Sequence, residues 1–106
     1  MEKVEIQVRQ FPEALDVGQG RGFLHEVESH METDRPRVVL DCSRVRRMDR
    51  PAIHILLCCL EEAMKRSGDV RLAAIPRDAG EILQATGVYG LFQVFDSVEE
   101  AAESFR

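Results

Sequence analysis

Tryptophan is absent, tyrosine occurs once, and aromatic residues make up 6% of the 106 positions. Any core must therefore be aliphatic. Basic residues are the minority, 14 against 19 acidic, and the formal charge is −5. A net-acidic chain lacks the electrostatic footprint of a general nucleic-acid or anionic-membrane binder. Long apolar runs are also missing. The longest uncharged one is Pro51 to Leu60, far short of the ~20 residues that span a bilayer, so direct membrane insertion is not expected. Met1-Glu2-Lys3-Val4-Glu5 alternates charge and has no apolar stretch of the secretory kind. Cysteine is sparse and odd in number, three in all, and Cys58 and Cys59 are neighbours. That pattern does not suit a disulfide framework and points to a reducing, cytoplasmic setting.

What is present suits a soluble globular protein: 44% hydrophobic and 31% charged residues. The length fits one domain over 1–106. A chain of this size can bury roughly two-thirds of the surface it exposes when unfolded, so a core is possible without metal or disulfide staples.

Val4, Ile6 and Val8 alternate with Glu5, Gln7 and Arg9, the period of a strand with one wet face. Phe11-Pro12 ends it or opens a second short strand up to about Leu15. Asp16 is placed to cap a helix, though Gly18, Gly20 and Gly22 blur its start. Phe23, Leu24, Val27 and Met31 then follow helical spacing until Asp34-Arg35-Pro36 breaks the chain. Val38-Val39-Leu40 suits a strand buried on both faces. A covered helix is expected from about Pro51 to Arg66, stopped by Gly68. Val70 to Ile75 reads as a strand, Ala79, Ile82 and Leu83 mark a helix ended by Gly87, and Phe92 to Phe95 reads as a last strand. Ser97 and Glu100 have capping-box spacing, and Val98, Ala101, Ala102 and Phe105 form one helical stripe behind them. Strands alternating with helices imply an α/β fold: a small mixed, mainly parallel sheet of four to five strands with four helices.

Chemistry-bearing constellations are few. Gly18-Gln19-Gly20-Arg21-Gly22 has neither the spacing of a dinucleotide fingerprint nor the Gly-Lys-Ser/Thr of a phosphate loop. His54 and Cys58 share a helix face, but no second pair at metal spacing accompanies them. In an apolar helix Cys58 and Cys59 behave as small hydrophobes. No metal site, cofactor or catalytic residue is assigned, and an enzyme is not expected.

Charge is unevenly spread. Residues 35–50 hold six arginines and two aspartates inside an otherwise acidic protein. Arg44, Arg46, Arg47 and Arg50 are either a solvated loop or a face for an acidic partner or bound anion. This basic loop runs straight into the covered helix. Asp49 is placed to cap it, and Pro51 suits its first turn, where a missing N–H costs nothing. The segment Arg47, Asp49, Arg50, Pro51 and Ala52 is thus a docking or anion site, or simply a well-capped helix start.

Val38 to Val45 followed by Met48-Asp49 resembles the central strand and loop of STAS domains, the sulphate-transporter and anti-sigma-factor-antagonist family. Ala85 to Phe92, then Phe95-Asp96-Ser97 with Glu99, Glu100 and Ala101, resembles that family's C-terminal stretch. The resemblance covers the whole chain and implies a small mixed sheet packed with helices. It also implies a non-catalytic interaction module whose partner is an ATPase-like anti-sigma factor and serine kinase. A regulated member carries Asp-Ser-Ser/Thr-Gly in the loop and is phosphorylated on the second hydroxyl residue. Here Asp49 matches, Arg50 replaces the serine, Pro51 occupies the phosphoacceptor position and Ala52 replaces the glycine. The resemblance therefore implies partner binding at Arg47, Asp49, Arg50, Pro51 and Ala52 without a phosphorylation switch. The alternatives are a subunit of a transporter or signalling complex, and a module binding a nucleotide or other anion. A homodimer stays open.

Overall fold

Val38, Val39 and Leu40 are all fully buried, and the sheet is built outward from them. In a computed structural model of the chain, which describes residues 5–106, they lie in strand β2, Arg37–Asp41. Around it the chain order is β1 (Gln7–Gln10), α1 (Val17–Ser29), β2, α2 (Arg50–Lys65), β3 (Asp69–Ala73), α3 (Arg77–Ala85), a 3-10 turn (Tyr89–Leu91), β4 (Val94–Phe95) and α4 (Val98–Glu103). The strands stand in sequence order, β1-β2-β3-β4, and every pairing among the described residues is parallel. An α/β fold with four strands and four α-helices agrees with the expectation; the strand count is at its lower end.

The topology sorts the helices. The sheet steps one way only, so crossovers of one hand set their helices on one face. Val38, Leu40, Val70 and Leu72 meet Phe23 and Val27 of α1, Leu56 and Cys59 of α2, and Leu83 of α3 in one cluster. The opposite pleat, Val39 and Ala73, packs on Ala101, Val98 and Phe105 in and just after α4. A double-faced β2 is why its sequence is a continuous apolar run.

Local signals act largely as read. Asp16 caps α1 in a reciprocal box with Gln19, so the helix begins at once and the three glycines lie inside it rather than before it. Asp49 caps α2, and Ser97 Oγ accepts from Glu100 N–H at 3.1 Å ahead of α4. The end of α2 departs from expectation in detail. Ser67, not Gly68, takes the left-handed conformation (φ 61°). Gly68 is required for a different reason: a β-carbon there would overlap the Pro36 carbonyl oxygen. Gly87 (φ 77°) ends α3 as expected.

Of the two alternatives at Phe11-Pro12 the structure takes the first: β1 ends at Gln10 and no second strand follows up to Leu15; Phe11 hangs from Asp41 by its N–H (2.8 Å) and turns its ring edge-on to Phe23. Two segments differ from the sequence reading. The stretch before β4 forms the 3-10 turn, which shortens that strand to Val94–Phe95. Just before β1, Ile6 packs beside α4, but Val8 within the strand is 41% exposed, because β1 is the edge strand and lies beyond the cover of the helix. Val4 lies outside the described residues.

Candidate functional site

The connection from β2 to α2 is a rigid strap rather than a loose loop. Val45 and Met48 are buried pins. Ser43 N–H bonds Asp41 Oδ1 at 3.0 Å, and the N–H groups of Arg46 and Arg47 both reach the Glu13 carbonyl, at 2.9 and 3.1 Å. Pinned at these points, the strap has only its arginines to turn outward, and Arg44, Arg46, Arg47 and Arg50 are all exposed. They do not converge. Arg46 faces Glu13 at 3.9 Å and Arg47 faces Asp49 at 3.8 Å, exposed pairs that screening makes weak.

At the helix start Asp49 Oδ1 accepts from Ala52 N–H at 3.2 Å. Arg50 and Pro51 then fill the first two helical positions, both exposed, while Ala52 is buried. Proline can stand there because its absent N–H would have had no partner inside the helix.

The sequence could not show what surrounds this start. A cavity of about 470 Å³ opens between α1 and α2, walled by Asp16, Gly20, Arg21, Leu24, Arg50, Pro51, His54 and Ile55. A second, of about 520 Å³, opens between α2 and α3, walled by Met48, Asp49, Arg50, Ile53, Ile82, Thr86 and Val88. Arg50 borders both, and it alone of the four strap arginines does so. Beside the second cavity Ile82 is 41% exposed, and Leu91, on the turn packed against α3, is 59% exposed. The α2 start is therefore a cation on a ridge with an apolar recess on either side. Leu24 and Ile82 carry no motif. Their helical spacing shows which residues line a face, but not which neighbouring face they meet.

Of the remaining candidates His54 borders the first recess, and the three cysteines are inert. Cys58 Sγ lies 3.6 Å from His54 Nε2. Among the described residues no group of three or more His, Cys, Asp or Glu stands where it could hold a metal ion. Desolvation pushes the Cys42 and Cys59 thiols up to about 12, with Asp41 adding to the first and Cys58 and Glu28 to the second. Cys58 is raised too, by partial burial and by Glu61, Glu28 and Glu62. None of the three is a poised thiolate. No helix among the described residues is long and apolar enough to cross a membrane.

A small parallel sheet with three helices on one face and one on the other, and a capped helix following its second strand, defines a small α/β module. The STAS domain family matches residues 3–101, and the chain belongs to that family. No curated protein sequence matches it. Among solved structures it is similar to an anti-sigma-factor antagonist (STAS) domain protein from Planctomyces limnophilus, with 17% identity, a TM-score of 0.78, and 90% of this chain and 86% of that one covered. A protein of Thermotoga maritima proposed to be an anti-sigma factor antagonist gives 15% identity and a TM-score of 0.75, over 93% of this chain and 80% of that one. The STAS domain of a SulP transporter from Vibrio cholerae gives 17% identity and a TM-score of 0.74, over 95% and 80%.

Proposed function

We propose that this domain is a non-catalytic protein-interaction module of the anti-sigma-factor-antagonist kind, and that its partner docks on the α2 start without a phosphorylation switch at residue 51. The observation that carries the reading is the position of Pro51. It is exposed in the first turn of α2, beside Arg50 and the two flanking recesses. Proline has no hydroxyl to accept a phosphoryl group. A phosphate would bring about −1.5 to −2 charges to this turn; Arg50 instead holds a permanent positive one there. The partner surface complementary to this ridge carries a carboxylate for Arg50 and apolar side chains for the recesses on both sides. An ATPase-type anti-sigma factor and serine kinase is the partner that the family suggests.

Affinity capture from the source cell tests this with wild type, Arg50→Glu and the double change Arg50→Ser/Pro51→Ser. Wild type should retain its partner in ATP and Arg50→Glu should lose it. The double variant should gain phosphate and lose binding. Retention by Arg50→Glu equal to wild type would sink the proposal.

The similarity to the SulP transporter's STAS domain supports a second reading, a subunit of a transporter or signalling complex. The identity of the captured protein separates the two.

A further inference from the structure

Another polar cleft lies at the far end of the sheet, where β2 and β3 begin. Arg35, Arg37, Ser67, Asp69, Arg71 and Ser104 line a cavity of about 270 Å³ there. The parallel register brings the three arginines together. Arg37 stands opposite Asp69, and Arg71 is two residues further along the same face. The turns carrying Arg35 and Ser67 are tied together: Arg35 N–H bonds the Arg66 carbonyl at 3.0 Å and Asp69 N–H bonds the Pro36 carbonyl at 2.9 Å. Both Arg35 and Ser67 adopt left-handed backbone, with φ 56° and 61°.

The three guanidinium groups are not equivalent. Arg71 is held structurally: its Nε bonds Asp69 Oδ2 at 3.1 Å, a terminal nitrogen bonds Ser104 Oγ at 2.7 Å, and it stacks 3.9 Å over Phe105. That pairing also occupies the one carboxylate lining the cleft. Arg35 and Arg37 make no side-chain hydrogen bond or ion pair among the described residues. Two guanidinium forks without an ion-pair partner among the described residues and the Ser67 hydroxyl therefore border the cleft, while Ser104 Oγ is already engaged, donating to the Ala101 carbonyl and accepting from Arg71.

We propose that this cleft binds a small phosphate-bearing anion, with Arg35 and Arg37 as the ligating forks and Arg71 as the fixed wall. Guanidinium forks match phosphate oxygens bidentately. The volume is just below the range of drug-sized sites, roughly 300–1,000 Å³, which suits a phosphate or pyrophosphate group rather than a large organic body. The site is separate from the α2 ridge and does not depend on what docks there.

The test is a titration of isotope-labelled protein with inorganic phosphate, pyrophosphate and acetate, followed by amide chemical shifts. Pyrophosphate should give saturable shifts confined to residues around 35–37 and 67–71, phosphate weaker ones, and acetate none. Each removed fork should weaken binding by roughly tenfold or more, the usual consequence of losing a hydrogen bond to a charged group. Arg35→Gln and Arg37→Gln are the variants, and Arg77→Gln, an exposed arginine of α3 outside the cleft, should bind as wild type does. An acetate response equal to that of pyrophosphate would overturn the proposal. So would shifts centred on the α2 start, or undiminished binding by the Arg35→Gln/Arg37→Gln double variant. The location of the wild-type shifts decides the matter even if the double variant folds poorly.

Discussion

Gly20 of α1 lies against Ile55 of α2 so closely that a β-carbon added to it would stand 3.1 Å from Ile55 Cγ1 and 3.2 Å from Cδ1. The missing side chain is what lets the two helices meet at the back of the recess beside Arg50. Gly22, two residues on, faces open space. Alanine in place of a mid-helix glycine gains roughly 0.5–1 kcal/mol. Gly22→Ala should show that gain in urea denaturation. Gly20→Ala should fall short of it, because Ile55 must shift, and Gly20→Leu should cost about 1–3 kcal/mol through overpacking. Equal stabilisation by both alanines would contradict the close approach.

The Asp49 cap predicts a graded response. Asp49→Ala removes the acceptor for Ala52 N–H and should cost about 1 kcal/mol. Asp49→Asn keeps a capping oxygen and should retain most of the stability. Both can be read from urea midpoints at constant m-value. Loss of stability by Asp49→Asn equal to that of Asp49→Ala would assign the effect to charge rather than to capping.

The thiols predict a pH dependence. Cys42 and Cys59 have native values of about 12 against an ordinary 9.0. The native state therefore holds these protons after the unfolded chain has released them. Their contribution to stability is fully present below pH 9 and is lost as pH rises toward 12. Chemical denaturation across this window should show the fall, and Cys59→Ala should make it shallower. Below it, an alkylating reagent should label Cys58 first and slowly, because its thiol is also raised, and the other two only after unfolding.

Much of this fold was legible because single residues carried it. The run Val38-Val39-Leu40 required cover on both faces and has it. Asp16, Asp49 and Ser97 announced three helix starts and cap all three. The strand period put Ile6 and Val8 on one side correctly, but it could not show that β1 is an edge and that α4 stops short of Val8. Period reports direction, whereas cover depends on strand order. The candidate site was half legible for the same reason. Arg50 and Pro51 could be placed at a helix start from local rules. The recesses depend on α1 and α3 packing against α2, and the far cleft on a register that joins Arg37 to Asp69.

Arg71 is the least conventional anchor in the molecule, a half-buried cation on the same face as Val39 and Ala73. Its bonds to Asp69 and Ser104 and its stacking on Phe105 tie the end of α4 to β3. Helix α4 is only six residues long, too short to be stable by itself, so this tie should decide whether it stays docked. Arg71→Ala should cost about 1–3 kcal/mol, combining lost charge-assisted bonds with the lost stacking. It should also speed hydrogen exchange in α4 before the rest of the chain. Arg71→Lys keeps the charge but not the planar fork and should recover only part of the loss. Phe105→Leu keeps apolar cover and removes the ring. If it matches wild type while Arg71→Ala does not, the hydrogen bonds rather than the stacking hold the helix. If neither change alters exchange in α4, the helix is held by Ala101 and Val98 alone, and the anchor assigned to Arg71 is wrong.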